Sequence, residues 1–503
     1  MSSFVDRPRL VAGVLQLAER PRPRAIAGWR HAHWLAVGTV CLGAFLGQLT
    51  ASITALVFPA LERSFDAGFA AVAWVSLAYL LVLVALLAPV GRLSDTVGRK
   101  TMYLGGFAVF GLASLAAGFA GGLGTLVVCR AVQAVGGAMM QANSVALVAR
   151  GVPGRAMRTA LGIQAAAQAL GLALGPTVGG LLVAHGSWRW AFWINVPIAL
   201  LGMLAGWFLL PRSRSAAAES PAATVPPTTA RGGPAGRHGT HRESRFDLLG
   251  LLLLAAASST LLLGLSTASG LPLPGWAVVV LLAASAVFSV ALARQEQRAD
   301  RPIIAPGLVN TPGVRAGLAV ALIGYLLLFC PLVLGPVMLA GAGVSAATAG
   351  LVITALPAAF AVAATVGGLL LPGHWSDARR GRTGALVTTA GLLALVLLPV
   401  SPLLSPLPLA VAGYGLGLLL PANNALVMRS IPAESSAVGG GMVNMVRSLG
   451  TALGTALPVL GVHLAGAAAG GRAVLLLLAG TALVAVRLST AARPAGPPRP
   501  ARR

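Results

Sequence analysis

Charge is what this 503-residue chain has least of. Asp, Glu, Lys and Arg together make up 10% of it, against about 25% in a soluble globular domain. Only 12 residues are acidic, and Lys100 is the one lysine. An ordinary soluble enzyme is excluded by that shortage. A disordered chain is excluded by the accompanying excess of apolar residues. Cysteine is also scarce: Cys41, Cys129 and Cys330 all lie in apolar runs, without CxxC or metal-ligand spacing, and read as small buried hydrophobes. No GxxxxGK[ST] string and no HExxH string occurs, so neither ATP nor a catalytic zinc is implied, and no cofactor is expected.

Hydrophobic residues fill the space left by charge, at 57% of the chain with a mean hydropathy of +0.85. They fall into fourteen runs, at 34–60, 71–90, 101–120, 123–149, 158–183, 190–211, 247–267, 275–294, 313–338, 345–371, 383–400, 405–428, 437–465 and 470–488. About 20 residues suffice to cross a bilayer as a helix. The internal Gly and Pro residues do not rule out helices, because neighbours in a membrane bundle can satisfy freed backbone groups. No small-residue cleavage site follows a short apolar core near the N-terminus, so the first run reads as a span.

The net charge of +24 invites a nucleic-acid partner, but the placement of the basic residues argues against one. With the N-terminus on the cytoplasmic side, 31 of the 36 basic residues fall on that side. Arg63, Arg189 and Arg472 fall outside, and Arg130 and Arg447 lie within runs. Such a bias is a topology signal. It predicts an all-α polytopic protein of the cytoplasmic membrane with both termini inside and the lipid bilayer, not nucleic acid, as its surroundings. The expected organisation is a basic tail (1–33), a six-helix bundle (34–211), a Pro/Gly/Ser-rich cytoplasmic linker (212–246), two additional helices (247–294), a second six-helix bundle (295–488) and a basic tail (489–503).

An internal repeat supports the two bundles. Gly91-Arg-Leu-Ser-Asp95-Thr-Val-Gly98-Arg99-Lys100 follows the second run, and Gly373-His-Trp-Ser-Asp377-Ala-Arg-Arg-Gly381-Arg382 follows the tenth. Gly91 and Gly98 permit tight turns. Asp95 is expected near the start of the third helix, at its positive end, with Arg99 four residues on as a partner. Such a charged latch, with Asp377 as its counterpart, could hold one rigid-body state and release in another. The fifth run carries Gly171-Leu-Ala-Leu-Gly175-Pro176-Thr-Val-Gly179-Gly180. Glycines four apart let another helix approach closely, and Pro176 allows a bend. Next come Ser187-Trp188-Arg189-Trp190-Ala-Phe192-Trp193-Ile-Asn195-Val-Pro197, which read as an interfacial aromatic belt, and Arg130 with Gln133 and Gly136 in the fourth run.

These stretches resemble the major facilitator superfamily, and within it the fourteen-helix drug/proton antiporters of the EmrB/QacA type. The first loop is similar to GxLaDrxGrk, the fifth run to GxxxGPxxGG, the aromatic stretch to WRWxFxxNxP, and Asn444 to Gly450 to NxxRxxG. The resemblance implies a major facilitator fold of 14 transmembrane helices and export of small organic molecules by alternating access. It also implies antiport against protons. One departure matters. Where many members carry an Asp in the first helix, this chain has Thr50, and Ala55 replaces the usual Asn. None of the 12 acids lies deep in an expected span. A proton carrier must then be Glu62 or Asp66 at the outer mouth, Asp247 at the inner face, or His185 or His463; otherwise transport is uncoupled.

A midplane cavity between the bundles is expected to be lined by Gln48, Thr50, Ser52 and Thr54, by Arg130, Gln133, Gln141 and Asn143, and by Gln164 and Gln168. On the other side come Asn423, Asn424, Asn444 and Arg447. Trp74, Tyr79, Tyr325, Phe329 and Tyr414 could supply aromatic walls. Arg130 has no acidic partner in the sequence, so either the substrate or a partner side chain is expected to supply the compensating negative or hydrogen-bonding group, and a neutral or acidic substrate fits better than a lipophilic cation. An uncoupled or importing permease and a non-transporting membrane sensor are the rival readings. Replacing Thr50 by Asp is expected to change coupling or to favour cationic substrates. Unchanged transport and pH dependence of Thr50→Asp in membrane vesicles would contradict this.

Overall fold

The computed structural model describes residues 23, 28–29, 31–152, 157–211, 247–268, 270–271, 273–299, 311–370, 375–431 and 436–491. The expected linker and most of both tails lie outside the described residues. Among the described residues the chain forms helices and no strand. They are α1 (Ala32–Leu56), α2 (Phe58–Phe65), α3 (Phe69–Val97), α4 (Arg99–Gly118), α5 (Leu123–Gly151), α6 (Met157–His185), α7 (Trp190–Trp193) and α8 (Asn195–Leu209). Then follow α9 (Leu248–Ala268), α10 (Trp276–Arg298), α11 (Pro312–Gly341), α12 (Ala346–Leu370), α13 (Asp377–Leu397), α14 (Pro406–Arg429), α15 (Ser436–Ala465) and α16 (Gly471–Ala491). Helices dominate because apolar segments in hydrocarbon must satisfy their backbone groups internally.

Eleven segments of the described chain are long and apolar enough to cross a membrane, one of which, Met442–Ser489, takes in both α15 and α16. The apolar stretch of α9 runs only from Leu252 to Ala268. α13 is not among the eleven; it opens with Asp377, Arg379, Arg380 and Arg382. Two apolar runs are divided. The first breaks at Val57, where Phe58 and Pro59 begin a separate short helix that ends on Asp66 in the left-handed region (φ 47°). Pro59 has no N–H to continue the preceding ladder but suits a first helical turn. The sixth breaks at Ile194, just before Asn195 and Pro197.

Gly98 (φ 110°) separates α3 from α4, which corrects the expectation for Asp95. That residue belongs to the last turn of α3, at the negative end of a helix, rather than to the first turn of the next. The Asp95 side chain lies outside the described residues. In the matching second loop, Asp377 does sit in the first turn, of α13, behind the Ser376 cap, whose hydroxyl accepts from the Arg379 N–H.

Helix pairing repeats itself. In the first half α1 packs on α6 and α8, α3 on α5, and α4 on α5 and α8. In the second half α11 packs on α15 and α16, α12 on α14, and α13 on α14 and α16. The two sets are the same list with α11–α16 standing for α1, α3–α6 and α8. Glycines make both sets possible. A Cβ on Gly106 or Gly136 would meet the opposing backbone where α4 crosses α5, as would one on Gly384 or Gly415 where α13 crosses α14. Gly171 and Gly175 admit the α1 backbone at Phe45 and Ile53; Gly450 and Gly454 admit α11 at Leu322 and Cys330.

The halves meet along two seams, α6 with α12 and α3 with α15, which the same correspondence interchanges. Only one seam carries an addition. α9 packs on α3 and α15 together, and Val84, Leu254, Leu292, Leu253 and Met445 form the apolar contact there. Replacing Gly171 by Leu is expected to cost about 1–3 kcal/mol through overpacking and to reduce the yield of folded protein. Gly480→Ala, where a Cβ meets open space, should leave the yield unchanged in detergent size-exclusion profiles.

Candidate functional site

A cavity of about 580 Å³ lies between the halves. Its walls come from the early part of α6, the late parts of α12 and α14, and the middles of α1, α11 and α15. It therefore occupies the half of the bundle nearest the start of α1, called here the tail half. A smaller cavity of about 70 Å³ adjoins it, bordered by Tyr79, Gln141 and Thr451 among others. Gln48, Gln168, Tyr325 and Arg447 line both.

These four residues occupy two equivalent pairs of positions. Gln168 stands three residues before Gly171, and Arg447 three before Gly450. Gln48 stands three residues after Phe45, which meets Gly171, and Tyr325 three after Leu322, which meets Gly450. One half thus contributes two neutral amides where the other contributes a ring and a cation. Arg447 Nη1 donates to Gln168 Oε1 at 3.4 Å across the interface, and its guanidinium lies 5.8 Å from the Tyr325 ring centre. No acidic residue is among the described residues lining either cavity.

Arg130 is elsewhere. It is 1% exposed and lines neither cavity. Its Nε donates to the Val75 carbonyl at 2.8 Å, its Nη1 to Gln133 Oε1, and its guanidinium stacks 4.4 Å from the Tyr79 ring centre. Gln133 passes the chain on to Ser114 at 2.6 Å, and Ser114 to the Phe110 carbonyl at 2.7 Å. This corrects the expectation that Arg130 and Gln133 face the cavity and that a substrate completes Arg130. Neutral acceptors and an aromatic face already hold it, and Tyr79 stands between it and the smaller cavity.

Thr50 is also buried, donating to Asn195 Oδ1 at 2.8 Å, so it ties α1 to α8 instead of lining the cavity. Gln164 is buried outside both linings, and Asn444 lies on α15 outside them, its carbonyl accepting from Ser448. Of the candidate residues, the fold gathers Gln48, Tyr79, Gln141, Gln168, Tyr325, Phe329, Asn424 and Arg447 around the cavities. Arg99 opens α4 directly after Gly98, whereas Gly91 lies within α3 and makes no turn, which corrects the expectation for it. Asp377 pairs with Arg429 of α14 at 2.8 Å.

The far half is closed. Thr177 and Thr354 share a hydrogen bond of 2.6 Å across the α6–α12 seam. Gly180 faces Gly350 there, and a Cβ on Gly350 would meet the Pro176 carbonyl. Gly179 lies against Ile53 and Leu56 of α1. Trp188 covers this end: its indole N–H donates to Ser64 at 3.0 Å, and its ring meets Phe65 and Phe192. The belt reading therefore suits Trp190, which is exposed, but not Trp188, Phe192 or Asn195, which are buried. Beside this cap, partial burial pushes the Glu62 carboxyl above its ordinary range.

Two functional positions escaped sequence reasoning. Lys100 is fully buried and donates to the Trp207 and Leu210 carbonyls at 2.9 Å, where a cation meets the negative end of α8. Its status as the one lysine was the available signal. Asn195 was visible only as part of the aromatic motif.

Two similar helical halves around a central cavity, closed at one end, define a membrane transporter. The family model described as Major Facilitator Superfamily matches residues 40–455, and the chain belongs to that superfamily. It is 29% identical over 455 residues to the tetracenomycin C resistance and export protein of Streptomyces glaucescens, covering 87% of this chain and 77% of that protein. It is 27% identical to the riboflavin transporter RibZ of Clostridioides difficile, covering 84% and 87%. Among solved structures, the xylose transporter XylE of E. coli in its inward-open conformation matches with a TM-score of 0.60 at 11% identity, over 91% of this chain and 96% of that one. Replacing Arg130 by Lys, which keeps the charge but loses the fork, is expected to lower thermal stability by about 1.5–3 kcal/mol. Ligand affinity should change far less than in Gln168→Ala, as measured on purified protein.

Proposed function

We propose that this chain exports small organic molecules across the cytoplasmic membrane by alternating access, with the tail half facing the cytoplasm. The observation that carries this reading is the 580 Å³ cavity in the tail half beneath a closed far half. A volume of that size suits a drug-sized organic ligand. The arginine bias supports a tail half on the cytoplasmic side, where the cavity can take up a ligand from inside the cell. The named activity of the Streptomyces glaucescens relative, resistance and export, points the same way. The RibZ relative keeps open other substrates and transport without resistance.

Rocking of the halves about the Gln168–Arg447 level would open the α6–α12 crossing at Thr177–Thr354 and close the tail half, in a bundle of fourteen crossings. Gly171, Gly175, Pro176 and Gly179 give α6 the close packing and the bend that such a motion uses. Gly91, Asp95, Gly98 and Arg99 around the α3–α4 junction, and Asp377 in the equivalent place, are the proposed gate; the Asp377–Arg429 pair is already formed within its half while the tail half is open. Protons are the proposed driving ion. Glu62 is the proposed carrier, because burial already raises its proton affinity and it lies beside the outer cap.

Inside-out vesicles containing the full chain should accumulate a fluorescent organic substrate when acidified inside, and lose it on addition of a protonophore. The pH midpoint should lie above the ordinary carboxylate range and vanish in Glu62→Gln. Protonophore-insensitive entry that stops at the external concentration would indicate uncoupled transport. No accumulation of any member of a broad substrate panel would favour the sensor reading.

A further inference from the structure

Arg130 and Arg447 are the two cations on membrane-depth stretches of helix, and the fold treats them oppositely. Arg130 is sealed among fixed acceptors. Arg447 is only partly buried and borders both cavities. Guanidinium carries five N–H donors in a planar fork. Against these the described residues set a single acceptor, Gln168, at 3.4 Å, beyond the usual range of a good N–H···O bond. No carboxylate is among the described residues lining either cavity. A cation at this depth ordinarily finds a partner in the protein; here the open side of the fork faces empty space.

What adjoins that space narrows the partner further. The Tyr325 ring stands beside the guanidinium, 5.8 Å from it. Phe329 borders the smaller cavity and Phe360 the larger. Gln48 and Gln168 offer amide donors and acceptors from the opposite half. Flat apolar walls with one uncompensated positive charge select for a planar aromatic body bearing one negative group. The two-fold correspondence adds to the argument. Since Gln168 holds the position equivalent to Arg447, the anionic end has only one place to go, and the ligand is oriented as well as held.

Resting on the export reading, we propose that the cavity is a site for planar aromatic anions, with a carboxylate, phenolate or sulfonate held by the Arg447 fork and the ring system laid against Tyr325. The substrate is then the counter-ion that the described lining does not supply. Its release leaves the charge exposed to a water-filled cavity, which favours binding of the next anion over the return of a neutral or cationic molecule.

Binding is measured separately from transport, on the full chain in lipid nanodiscs, by fluorescence anisotropy. Fluorescein serves as the anionic probe and rhodamine 6G as a cationic probe on the same xanthene frame. Fluorescein should bind at least tenfold more tightly than rhodamine 6G. Arg447→Gln should weaken fluorescein about 10- to 100-fold, as expected for loss of a charge-assisted hydrogen bond, and leave rhodamine 6G unchanged or tighter. Arg447→Lys should recover part of the loss. Gln48→Glu keeps Arg447 in place and adds one carboxylate to the lining; it should reverse the preference toward rhodamine 6G. Equal binding of the two dyes, or fluorescein affinity unaltered by Arg447→Gln and Gln48→Glu, would overturn the proposal. Charge-selective binding without uptake into proteoliposomes would instead overturn the export reading and leave the site standing.

Discussion

Hydrocarbon surrounds most of this chain, and hydrocarbon gives an apolar helix no reason to prefer a neighbour over lipid. Association then depends on how closely two backbones can approach. Glycines meet that constraint here at homologous crossings: Gly106 with Gly136, Gly384 with Gly415, Gly171 and Gly175 on α1, Gly450 and Gly454 on α11. The register these contacts impose decides which side chains turn inward. Gln48, Gln168, Tyr325 and Arg447 come to one level of the cavity because each stands three residues from a glycine contact. The chemistry of the site is thus a consequence of packing that involves no side-chain chemistry at all.

Polar groups are few, and several of the buried ones have a visible assignment. Lys100 ends α8, Asn195 fastens Thr50, and Gln133 and Val75 immobilise Arg130. Each removes a backbone or side-chain group from an environment where it would otherwise go unsatisfied. Asp247 belongs to this set too, capping the Gly250 N–H at 2.8 Å and accepting from Gln295 at 2.9 Å at the entry to α9. Against that background a cation left half-engaged in a cavity stands apart from the rest of the molecule. The position where relatives in the drug/proton branch carry an acid is, in this chain, a hydroxyl tied to a buried amide, so the first helix contributes packing there and no charge.

The helical class was legible from the apolar runs and the arginine bias, since both follow from solvation of single residues. The glycine stripe of α6 was equally plain, because spacing along one helix suffices to define a face. What could not be read was any feature requiring two helices at once. Arg130 and Arg447 look alike in sequence, and only the crossing of α3, α4 and α5 shows that Val75, Tyr79 and Gln133 enclose the first. Asp95 was misassigned because the helix before Gly98 runs on to Val97, so the residue falls at the negative end of one helix and not at the positive end of the next. Thr50 and Asn195 lie 145 residues apart, and no local pattern joins them.

The helix pair α9–α10 breaks the equivalence of the two seams. It leans on α3 and α15 at once, bridging the halves on that side, while α6 and α12 meet without such a buttress. In the plane of the bilayer the protein therefore has a front and a back. A solute dissolved among the acyl chains finds one flank shuttered and the other bare, so any traffic between leaflet and cavity is confined to a single bearing, and lipids on the two flanks experience different neighbours.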